Sequence, residues 1–304
     1  MNVKRFSRQS DLTAWVLLII LSLIWGSSYI LIKRGLDVYT PEQVGTMRLT
    51  FAFLILLPTA LKNVFRLPGN KLLVLFLIGL VGNILPYLLF SYAQTVLASS
   101  VTGILNALTP IFAMLIAVFI FKYKIRGMQI AGMLLGFSGI LLLSFIDETG
   151  VLGSINIYVW LVIIATLCYA VSLNLIKAYL SDIRSVIVSA VSLLSVGPIC
   201  MAYLFTTDFI HRFNTVPGSG MSMLYIAILG IVGTAFAMIL YTKLIQITDA
   251  IFATTVTYML PIVSIIWGLL DGEILYPVHY AGMLIILSGV YLINKNFNIN
   301  KSKA

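Results

Sequence analysis

Residues 98–121 read ASSVTGILNALTPIFAMLIAVFIF, and residues 249–270 read DAIFATTVTYMLPIVSIIWGLL. Both stretches are apolar and long enough for a helix to cross the roughly 30 Å hydrocarbon core of a bilayer. Each carries a proline near its middle, Pro110 in the first and Pro261 in the second. Because proline removes a backbone donor and frees the carbonyl one turn earlier, we predict two interrupted transmembrane helices that face a polar space.

The overall composition extends this prediction to the whole chain. Of the 304 residues, 61% are hydrophobic and 10% are charged, and the mean hydropathy is +1.07. Apolar runs of about 20 residues recur along the sequence, so we expect an all-α membrane protein. Its two cysteines, Cys168 and Cys200, lie inside predicted spans and are expected to be small core residues.

We predict ten transmembrane helices joined by short connections. The first apolar run lacks a signal-peptide cleavage pattern, so it is expected to remain as the first span. The predicted spans are Leu12–Ile32, Glu42–Leu61, Leu72–Tyr92, Ala98–Phe121, Gly127–Phe145, Ile157–Ile176, Ser185–Phe205, Ser222–Leu244, Ala250–Leu270 and Val278–Ile293.

Lysine and arginine are distributed unequally between the two sets of loops. With ten spans, 15 of the 19 basic residues fall at the termini and in the even-numbered connections, three fall in the odd-numbered connections, and Arg48 lies within a span. This asymmetry follows the positive-inside rule and places both termini in the cytoplasm. The net charge of +9 is therefore attributed to orientation in the membrane, and no nucleic-acid partner is expected.

The sequence contains a weak internal repeat. The corresponding residues are Gly82 with Gly233, Phe90 with Tyr241 and Pro110 with Pro261 at a shift of 151, and Trp25 with Tyr169, Ser28 with Ser172 and Lys33 with Lys177 at a shift of 144. We predict two five-helix halves, residues 1–149 and 150–304. Because five is odd, the second half enters the membrane from the opposite side, and the repeats are inverted.

Several short motifs resemble those of the drug/metabolite transporter superfamily, specifically its EamA-type exporters. They are Trp25-Gly26-Ser27-Ser28, Arg48 early in the second span, the T-P-x-x-A pattern at Thr109–Ala113, and Asp271-Gly272-Glu273 near the end. One departure is that Phe121-Lys122 stands where the family usually has a Gly-Glu pair. The resemblance implies a ten-span, multi-pass exporter in the bacterial cytoplasmic membrane, with two EamA-like repeats.

Sequence motifs for other functions are missing. There is no phosphate-binding G-x-x-x-x-G-K-[ST] motif, both histidines lie at span ends or in loops, and no carboxylate lies in the middle of a span. We therefore expect a transporter that is not an enzyme and that needs no cofactor or metal. The nearest acids, Asp249 and Glu273, lie at the two ends of the ninth span, which leaves energy coupling open between proton use, exchange and facilitated transport.

Polar side chains inside the predicted spans are the candidates for a substrate cavity, because exposing them to lipid is costly. Asn106 and Thr257 correspond in the two halves, and we expect them to approach one cavity from opposite sides of the membrane. The alternative is that the hydroxyl groups bond their own backbone and the prolines merely bend the helices. The predicted cavity residues are Trp25, Ser28, Tyr29, Arg48, Asn83, Tyr87, Asn106, Pro110, Tyr169, Ser172, Thr254, Thr257, Tyr258 and Pro261.

Arg48 is the strongest single candidate. It lies six residues past Glu42, about 9 Å into the membrane at 1.5 Å per residue. One interpretation is that Arg48 and Lys33 form a positive outer vestibule for carboxylate or phosphate groups. The other is that Arg48 has a structural role and bonds backbone carbonyls or Glu273.

The leading functional hypothesis is export of small metabolites, such as amino acids or related amphiphilic compounds, by alternating access. The alternatives are an anion exchanger of the sugar-phosphate or nucleotide-sugar type and a membrane scaffold or sensor that transports nothing. The expected partners are a small-molecule substrate and the lipid bilayer. The glycines Gly132, Gly136 and Gly139 are typical of a close helix contact within or between subunits; we expect a monomer, with a homodimer as the alternative.

Overall fold

The computed structural model describes residues 8–121, 127–145, 156–248, 253 and 256–299. Within these ranges the secondary structure is helical and contains no strand. The prediction of an all-α protein is therefore confirmed for this part of the chain. Thr254, one of the predicted cavity residues, lies outside the described residues.

The helices follow one another with short connections. The α-helices of the described residues are α1 (Arg8–Gly26), α2 (Ser28–Leu36), α3 (Pro41–Val64), α4 (Gly69–Gly79), α5 (Leu85–Ala93), α6 (Ser99–Asn106), α7 (Thr109–Phe121), α8 (Gly127–Ser144), α9 (Ile157–Tyr179), α10 (Ser185–Leu194), α11 (Gly197–Leu204), α12 (Phe209–Thr215), α13 (Ser219–Gly230), α14 (Ala237–Ile247), α15 (Val256–Leu270) and α16 (Pro277–Ile299). Two π-helices, π1 (Leu80–Ile84) and π2 (Ile231–Phe236), connect α4 to α5 and α13 to α14.

Many of these helices are long and apolar enough to cross a membrane. Six continuous stretches meet this criterion: Leu12–Leu36, Pro41–Val64, Gly69–Ala93, Ser99–Ile120, Ile157–Tyr179 and Ser219–Ile247. The pair α10 and α11 meets it together, and three shorter apolar helices cover Gly127–Leu143, Val256–Leu270 and Pro277–Leu292. Six of these stretches, or seven with the bent pair counted as one, are thus long enough to cross a membrane, and the number of ten spans stays a prediction.

The two prolines singled out in the sequence affect their helices differently. Before Pro110 the helix breaks, since α6 ends at Asn106 and α7 begins at Thr109. The carbonyl of Asn106 instead accepts a hydrogen bond from the Thr109 hydroxyl, with an oxygen–oxygen distance of 2.9 Å. Pro261 lies inside α15, which continues through it without a break, so the expectation of a second interruption there was wrong for the described residues.

The predicted span Ser185–Phe205 is not one straight helix. It divides into α10 and α11, whose axes differ by 41°. The break precedes Gly197 and Pro198, and proline disfavours helical geometry in the residue before it. The sequence contained this signal, but the continuous prediction did not use it.

The two π-helices occupy corresponding places in the sequence. Residues 80–84 lie 151 positions before residues 231–235, the same shift that relates Gly82 to Gly233. In each π-helix a polar side chain donates to the carbonyl five residues earlier: Asn83 Nδ2 to Ile78 O at 3.4 Å, and Thr234 Oγ1 to Leu229 O at 3.1 Å. Such π segments are frequent at functional sites, and both segments here lie next to the cavity described below.

Helix α3 has a clearly defined beginning. The Thr40 hydroxyl accepts from the Gln43 amide at 3.4 Å, the Gln43 side chain accepts from the Thr40 amide at 3.1 Å, and Pro41 occupies the first turn. This capping box fixes the start of the helix. Arg48 therefore lies about two turns inside α3.

Helices α8 and α16 pack closely along a stripe of glycines. A Cβ atom added to Gly289 would lie 2.5 Å from the Gly132 carbonyl oxygen and 2.9 Å from the Gly136 Cα atom. The two backbones can approach this closely because neither has a side chain at the contact. The glycines singled out in the sequence thus form a close contact between two helices of the same chain.

Candidate functional site

A cavity of about 110 Å³ lies among helices from both halves of the chain. Predicted cavity residues that line it are Trp25, Ser28, Tyr29, Arg48, Asn83, Tyr87, Asn106, Tyr169, Ser172 and Thr257. Asn106 and Thr257, one from each half, therefore contact the same space.

Three predicted residues lie outside this wall. Tyr258 points toward α16, where its hydroxyl donates to the Val290 carbonyl at 2.9 Å. Pro110 and Pro261 are buried in their helices and are not among the lining residues. These residues shape and pack the helices around the cavity.

Some lining residues were not on the predicted list. Ser192 of α10 and Thr242 of α14 add hydroxyl groups, and Met238 and Val188 add apolar surface. Ser192 and Thr242 are buried polar residues inside apolar segments, which is the signal that could have identified them. α10 also carries other buried hydroxyls, however, and nothing in the sequence shows which of them faces the cavity.

Arg48 is the charged residue of this cavity among the described residues. Its side chain is 5% exposed. Nε donates to Thr234 Oγ1 at 2.7 Å, Nη2 lies 3.5 Å from Gly233 O, and the guanidinium carbon lies 3.8 Å from the centroid of the Tyr87 ring. No carboxylate of the described residues lies within 4.0 Å of the guanidinium. Arg48 is therefore a buried cation that π2 and an aromatic ring hold in place without neutralising it.

The carbonyl of Gly233 is shared between two side chains of the first half. Trp25 Nε1 donates to it at 3.0 Å, while Arg48 Nη2 makes a longer contact. The π2 segment thus presents a backbone acceptor at the cavity, and side chains of α1 and α3 converge on it. Contacts between the two halves meet directly at the candidate site.

Aromatic rings form much of the remaining wall. Trp25 meets Tyr241 edge to face with centroids 4.7 Å apart, and Tyr169 stacks on Phe90 at 5.7 Å. Tyr87 lies near Tyr169 as well, with centroids 6.4 Å apart. Such walls provide apolar contact area and π faces that suit both apolar and cationic groups.

Asn83 has an unused hydrogen-bond acceptor. Its side chain is 1% exposed, and Oδ1 has no hydrogen-bond partner in the structure, although Nδ2 donates to Ile78 O. A buried acceptor without a donor is costly. Asn83 lines the cavity, so a ligand or water that carries a donor group would satisfy it.

A second cluster of charges lies at one end of the helix bundle, the end at which α2 finishes and α3 begins. Glu273 Oε1 accepts from Lys33 Nζ at 2.9 Å, from the Ser99 amide at 2.9 Å and from the Ser99 hydroxyl at 2.7 Å. Glu273 Oε2 accepts from the Ser100 amide at 3.1 Å and the Ser100 hydroxyl at 2.5 Å. Lys33 also pairs with Asp271 at 2.7 Å. We call this group the Glu273 cluster.

The local backbone explains the sequence Asp271-Gly272-Glu273. Gly272 has φ +80°, a left-handed conformation that favours glycine. The Glu273 amide donates to Gly268 O at 2.9 Å and the Gly272 amide to Leu269 O at 3.2 Å, the hydrogen-bond pattern that ends α15. This turn directs the Glu273 side chain back toward the start of α6.

The pKa of Glu273 follows from these contacts. Burial alone would raise it, but hydrogen bonds from Ser100, Lys33 and Ser99 outweigh burial and lower the pKa to about 2. The carboxylate is therefore ionised near neutral pH. Its negative charge also lies at the N-terminus of α6, where the helix dipole favours an anion.

These contacts correct the expectation for Lys33. The proposed positive vestibule required Lys33 to act together with Arg48, but Lys33 forms ion pairs with Asp271 and Glu273. Of the alternative partners expected for Arg48, the structure shows a backbone carbonyl, that of Gly233, together with the Thr234 hydroxyl, and Glu273 is not among the partners. The sequence showed the charges but not the rotation of their helices, which decides the partners.

The opposite end of the bundle is held by different contacts. Lys71, in the first turn of α4, pairs at 2.8 Å with Asp182, in the loop that follows α9. Lys177 donates to the carbonyls of Ile245 at 3.0 Å and Thr248 at 2.9 Å. An ion pair and backbone carbonyls thus contribute to the contacts at this end.

Comparison with known proteins agrees with this architecture. The inner membrane transporter YedA of Escherichia coli (strain K12) is 26% identical, over 90% of this chain and 88% of its own length. A probable terminal-alkyne amino-acid exporter of Streptantibioticus cattleyicolor is 24% identical, over 91% of this chain and 92% of its own. A solved crystal structure with 16% identity superposes with a TM-score of 0.65 and covers 94% of this chain, which shows a shared fold.

The apolar helices and the cavity between them define a multi-pass membrane protein of the transporter class. The model of the EamA-like transporter family matches residues 12–145 and again residues 156–295. The chain belongs to the EamA-like transporter family, and the resemblance to the drug/metabolite transporter superfamily noted in the sequence is confirmed.

Proposed function

We propose that this protein exports small amphiphilic metabolites that carry a carboxylate, such as amino acids or related compounds, across the bacterial cytoplasmic membrane. In this proposal Arg48 holds the carboxylate, the aromatic rings contact the body of the substrate, and Asn83 accepts a hydrogen bond from a donor group. A relative named as an amino-acid exporter supports this substrate class. No catalytic step forms part of the proposal.

One observation carries the proposal, namely the buried guanidinium of Arg48 without a carboxylate partner among the described residues. A buried charge costs several kcal/mol unless it is compensated, and two neutral acceptors compensate it only in part. A substrate carboxylate would supply the missing charge through paired hydrogen bonds. Substrate would then compete with Gly233 O for Nη2 and so change a contact between the two halves.

The proposed mechanism is alternating access by ten spans arranged as two inverted five-helix repeats, residues 1–149 and 150–304, with both termini in the cytoplasm. The two family matches and the corresponding π-helices support this arrangement. The described cavity residues include no carboxylate that could carry a proton. This favours exchange or facilitated transport, and uptake with and without a pH gradient tests it.

The test compares substrates that differ in the carboxylate alone. After a substrate screen in proteoliposomes, the best amino acid is compared with its own amide, in wild type, Arg48→Gln and Arg48→Lys. We expect Arg48→Gln to reduce amino-acid uptake at least about tenfold, the scale of one charged hydrogen bond, and to leave uptake of the amide unchanged. Arg48→Lys should fall in between, because an ammonium cannot form the paired contact. Equal loss for both substrates would contradict the proposal.

An anion exchanger for sugar phosphates or nucleotide sugars is the second candidate, since Arg48 is the one charged lining residue that the structure describes. Counterflow with phosphate esters in the same proteoliposomes separates the two candidates. A scaffold without transport is disfavoured because the polar side chains line an open space and are not sealed by packing.

A further inference from the structure

The Glu273 cluster joins the two halves of the chain at one end of the cavity. Glu273 and Asp271 follow α15 in the second half, whereas Lys33 ends α2 and Ser99 begins α6 in the first half. The Glu273 side chain is 4% exposed. The carboxylate is thus shielded from water while Lys33 stays 34% exposed, and the hydrogen bonds to the carboxylate are stronger than they would be at the surface.

The helices tied together by this cluster are also cavity walls. Tyr29 of α2, Asn106 of α6 and Thr257 of α15 all line the cavity. The cluster lies at the end of these helices that faces away from Lys71 and Asp182. As long as it is intact, the ends of α2, α6 and α15 stay together and that end of the cavity is closed.

The sequence positions that correspond to the Glu273 cluster in the repeat carry different residues. Lys33 corresponds to Lys177 at a shift of 144, but Glu273 corresponds to Lys122 at a shift of 151. Ser99 and Ser100 correspond to Ala250 and Ile251. The carboxylate and both hydroxyl donors are therefore missing from the equivalent sequence positions of the other end.

We propose that the Glu273 cluster is a latch that keeps one end of the cavity closed in the empty transporter, so that the resting protein opens toward the opposite side. This inference rests on the proposed alternating-access function. With the orientation given by the basic residues, the latch closes the outer side and the resting cavity receives substrate from the cytoplasm. The side from which the empty transporter receives substrate then follows from the presence of the Glu273 cluster at one of the two ends related by the repeat.

The test measures access to the cavity from each side. A single cysteine replaces Asn106 after substitution of Cys168 and Cys200, and a membrane-impermeant maleimide is added to right-side-out and to inverted membrane vesicles. Glu273→Gln removes the ion pair with Lys33 and weakens the bonds to α6. We expect labelling from the Glu273 side to become at least about tenfold faster, and labelling from the opposite side to become slower, because the population shifts between two states.

Two further variants make the result decisive. Asp182→Asn removes the Lys71 ion pair at the other end and should not increase labelling from the Glu273 side. Ser100→Ala removes one hydroxyl donor and no charge, so it should shift labelling in the same direction by a smaller factor, and it replaces Glu273→Gln if that variant does not fold.

Unchanged labelling in the Glu273 and Ser100 variants, or an equal increase from both sides, would overturn the latch. Uptake by the wild-type protein in proteoliposomes tests the proposed function separately. A protein that transports normally but shows no latch effect would refute this inference alone.

Discussion

Arg48 is a buried cation. If its guanidinium is removed by substitution, the two groups that accept its hydrogen bonds still have other partners. Gly233 O still accepts from Trp25, and the Thr234 hydroxyl still donates to Leu229 O. Replacing a buried charge by an apolar side chain of similar volume is often neutral or stabilising. We therefore expect Arg48→Met to have a free energy of unfolding within about 1 kcal/mol of wild type, or above it, while transport is lost. Thermal unfolding in detergent beside the transport assay measures both quantities.

Lys177 provides a matched control for this prediction. Its ammonium donates to the carbonyls of Ile245 and Thr248 near the end of α14. Lys177→Met takes donors from carbonyls at a helix C-terminus, and we expect it to lower the free energy of unfolding by about 2 kcal/mol. If Arg48→Met destabilised the protein as much as Lys177→Met does, Arg48 would have a structural role and not a substrate-binding one.

The lowered pKa of Glu273 predicts that the stability of the protein changes with pH in the acidic range. Its pKa is lowered to about 2 in the folded protein from an ordinary value of 4.5. A carboxyl whose pKa is lowered by folding contributes stability above its unfolded pKa and loses it as pH falls through the folded pKa. We expect wild type to lose on the order of 5 °C of melting temperature relative to Glu273→Gln between about pH 5 and pH 2. Parallel pH curves for the two proteins would contradict this prediction.

At the scale of elements, the contact between α8 and α16 depends on the absence of side chains. A Cβ atom on Gly289 would collide with the backbone of Gly132 and Gly136. We expect Gly289→Leu to separate the two helices and to lower the free energy of unfolding by about 3 kcal/mol or more, the scale of an overpacked core. The measurements are thermal unfolding and size-exclusion chromatography in detergent.

Gly220 is the control for this contact. It lies in α13, and a Cβ atom added to it would have no neighbour within 4 Å. Gly220→Ala should therefore be neutral or slightly stabilising, because alanine is the better helix former. If Gly289→Leu unfolded like wild type but changed the oligomeric state, the stripe would serve contact between subunits, and our expectation of a monomer would be wrong.

The π2 segment sets which face of α14 meets the cavity. A π-helix accommodates one more residue per turn than an α-helix, so removing one residue restores an α-helix without turning the faces that follow, whereas a residue inserted into the α-helix after it rotates everything beyond by about 100°. An alanine inserted after Phe236 should therefore turn Tyr241 and Thr242 away from the cavity. We expect substrate uptake to fall to background while the protein still elutes as a folded species.

A deletion within π2 is the control for this insertion. Deleting Val232, which is exposed on the outside of the bundle, removes the extra residue of π2 and leaves the faces of α14 in place, so this variant should keep most of its uptake. Full uptake in the insertion variant would show that the orientation of Tyr241 and Thr242 does not matter for substrate binding.

For the whole molecule, the sequence predicts the features that depend on the bilayer, but it does not predict those that depend on contacts between neighbouring helices. The length of the apolar runs located the helical stretches, because a polar segment exposed to lipid has a large energetic cost. The π-helices at Asn83 and Thr234 were not predicted, since their pattern of hydrogen bonds depends on side-chain contacts between helices. Lys33 and Arg48 were correctly identified as unusual, but their partners depend on how α2 and α3 rotate against the second half, which no local pattern records.

The proposed inverted arrangement makes a prediction about corresponding loop residues. Asp37 corresponds to Ser181, and Asn70 to Asn214, at a shift of 144. In the structure Asp37 and Asn214 flank the end where Arg212 donates to Val38 O, whereas Asn70 and Ser181 flank the end where Lys71 pairs with Asp182. Corresponding residues thus lie at opposite ends of the bundle, as an inverted repeat requires.

Single cysteines at these four exposed positions test this arrangement in a protein without Cys168 and Cys200. A membrane-impermeant thiol reagent should label positions 37 and 214 from outside intact cells, and positions 70 and 181 only in inverted vesicles, because the positive-inside rule assigns the basic loops to the cytoplasm. The reverse pattern would keep the inverted repeat but reverse the proposed direction of loading. Labelling of positions 37 and 181 from the same side would exclude inverted repeats, and alternating access between equivalent halves would then lose its structural basis.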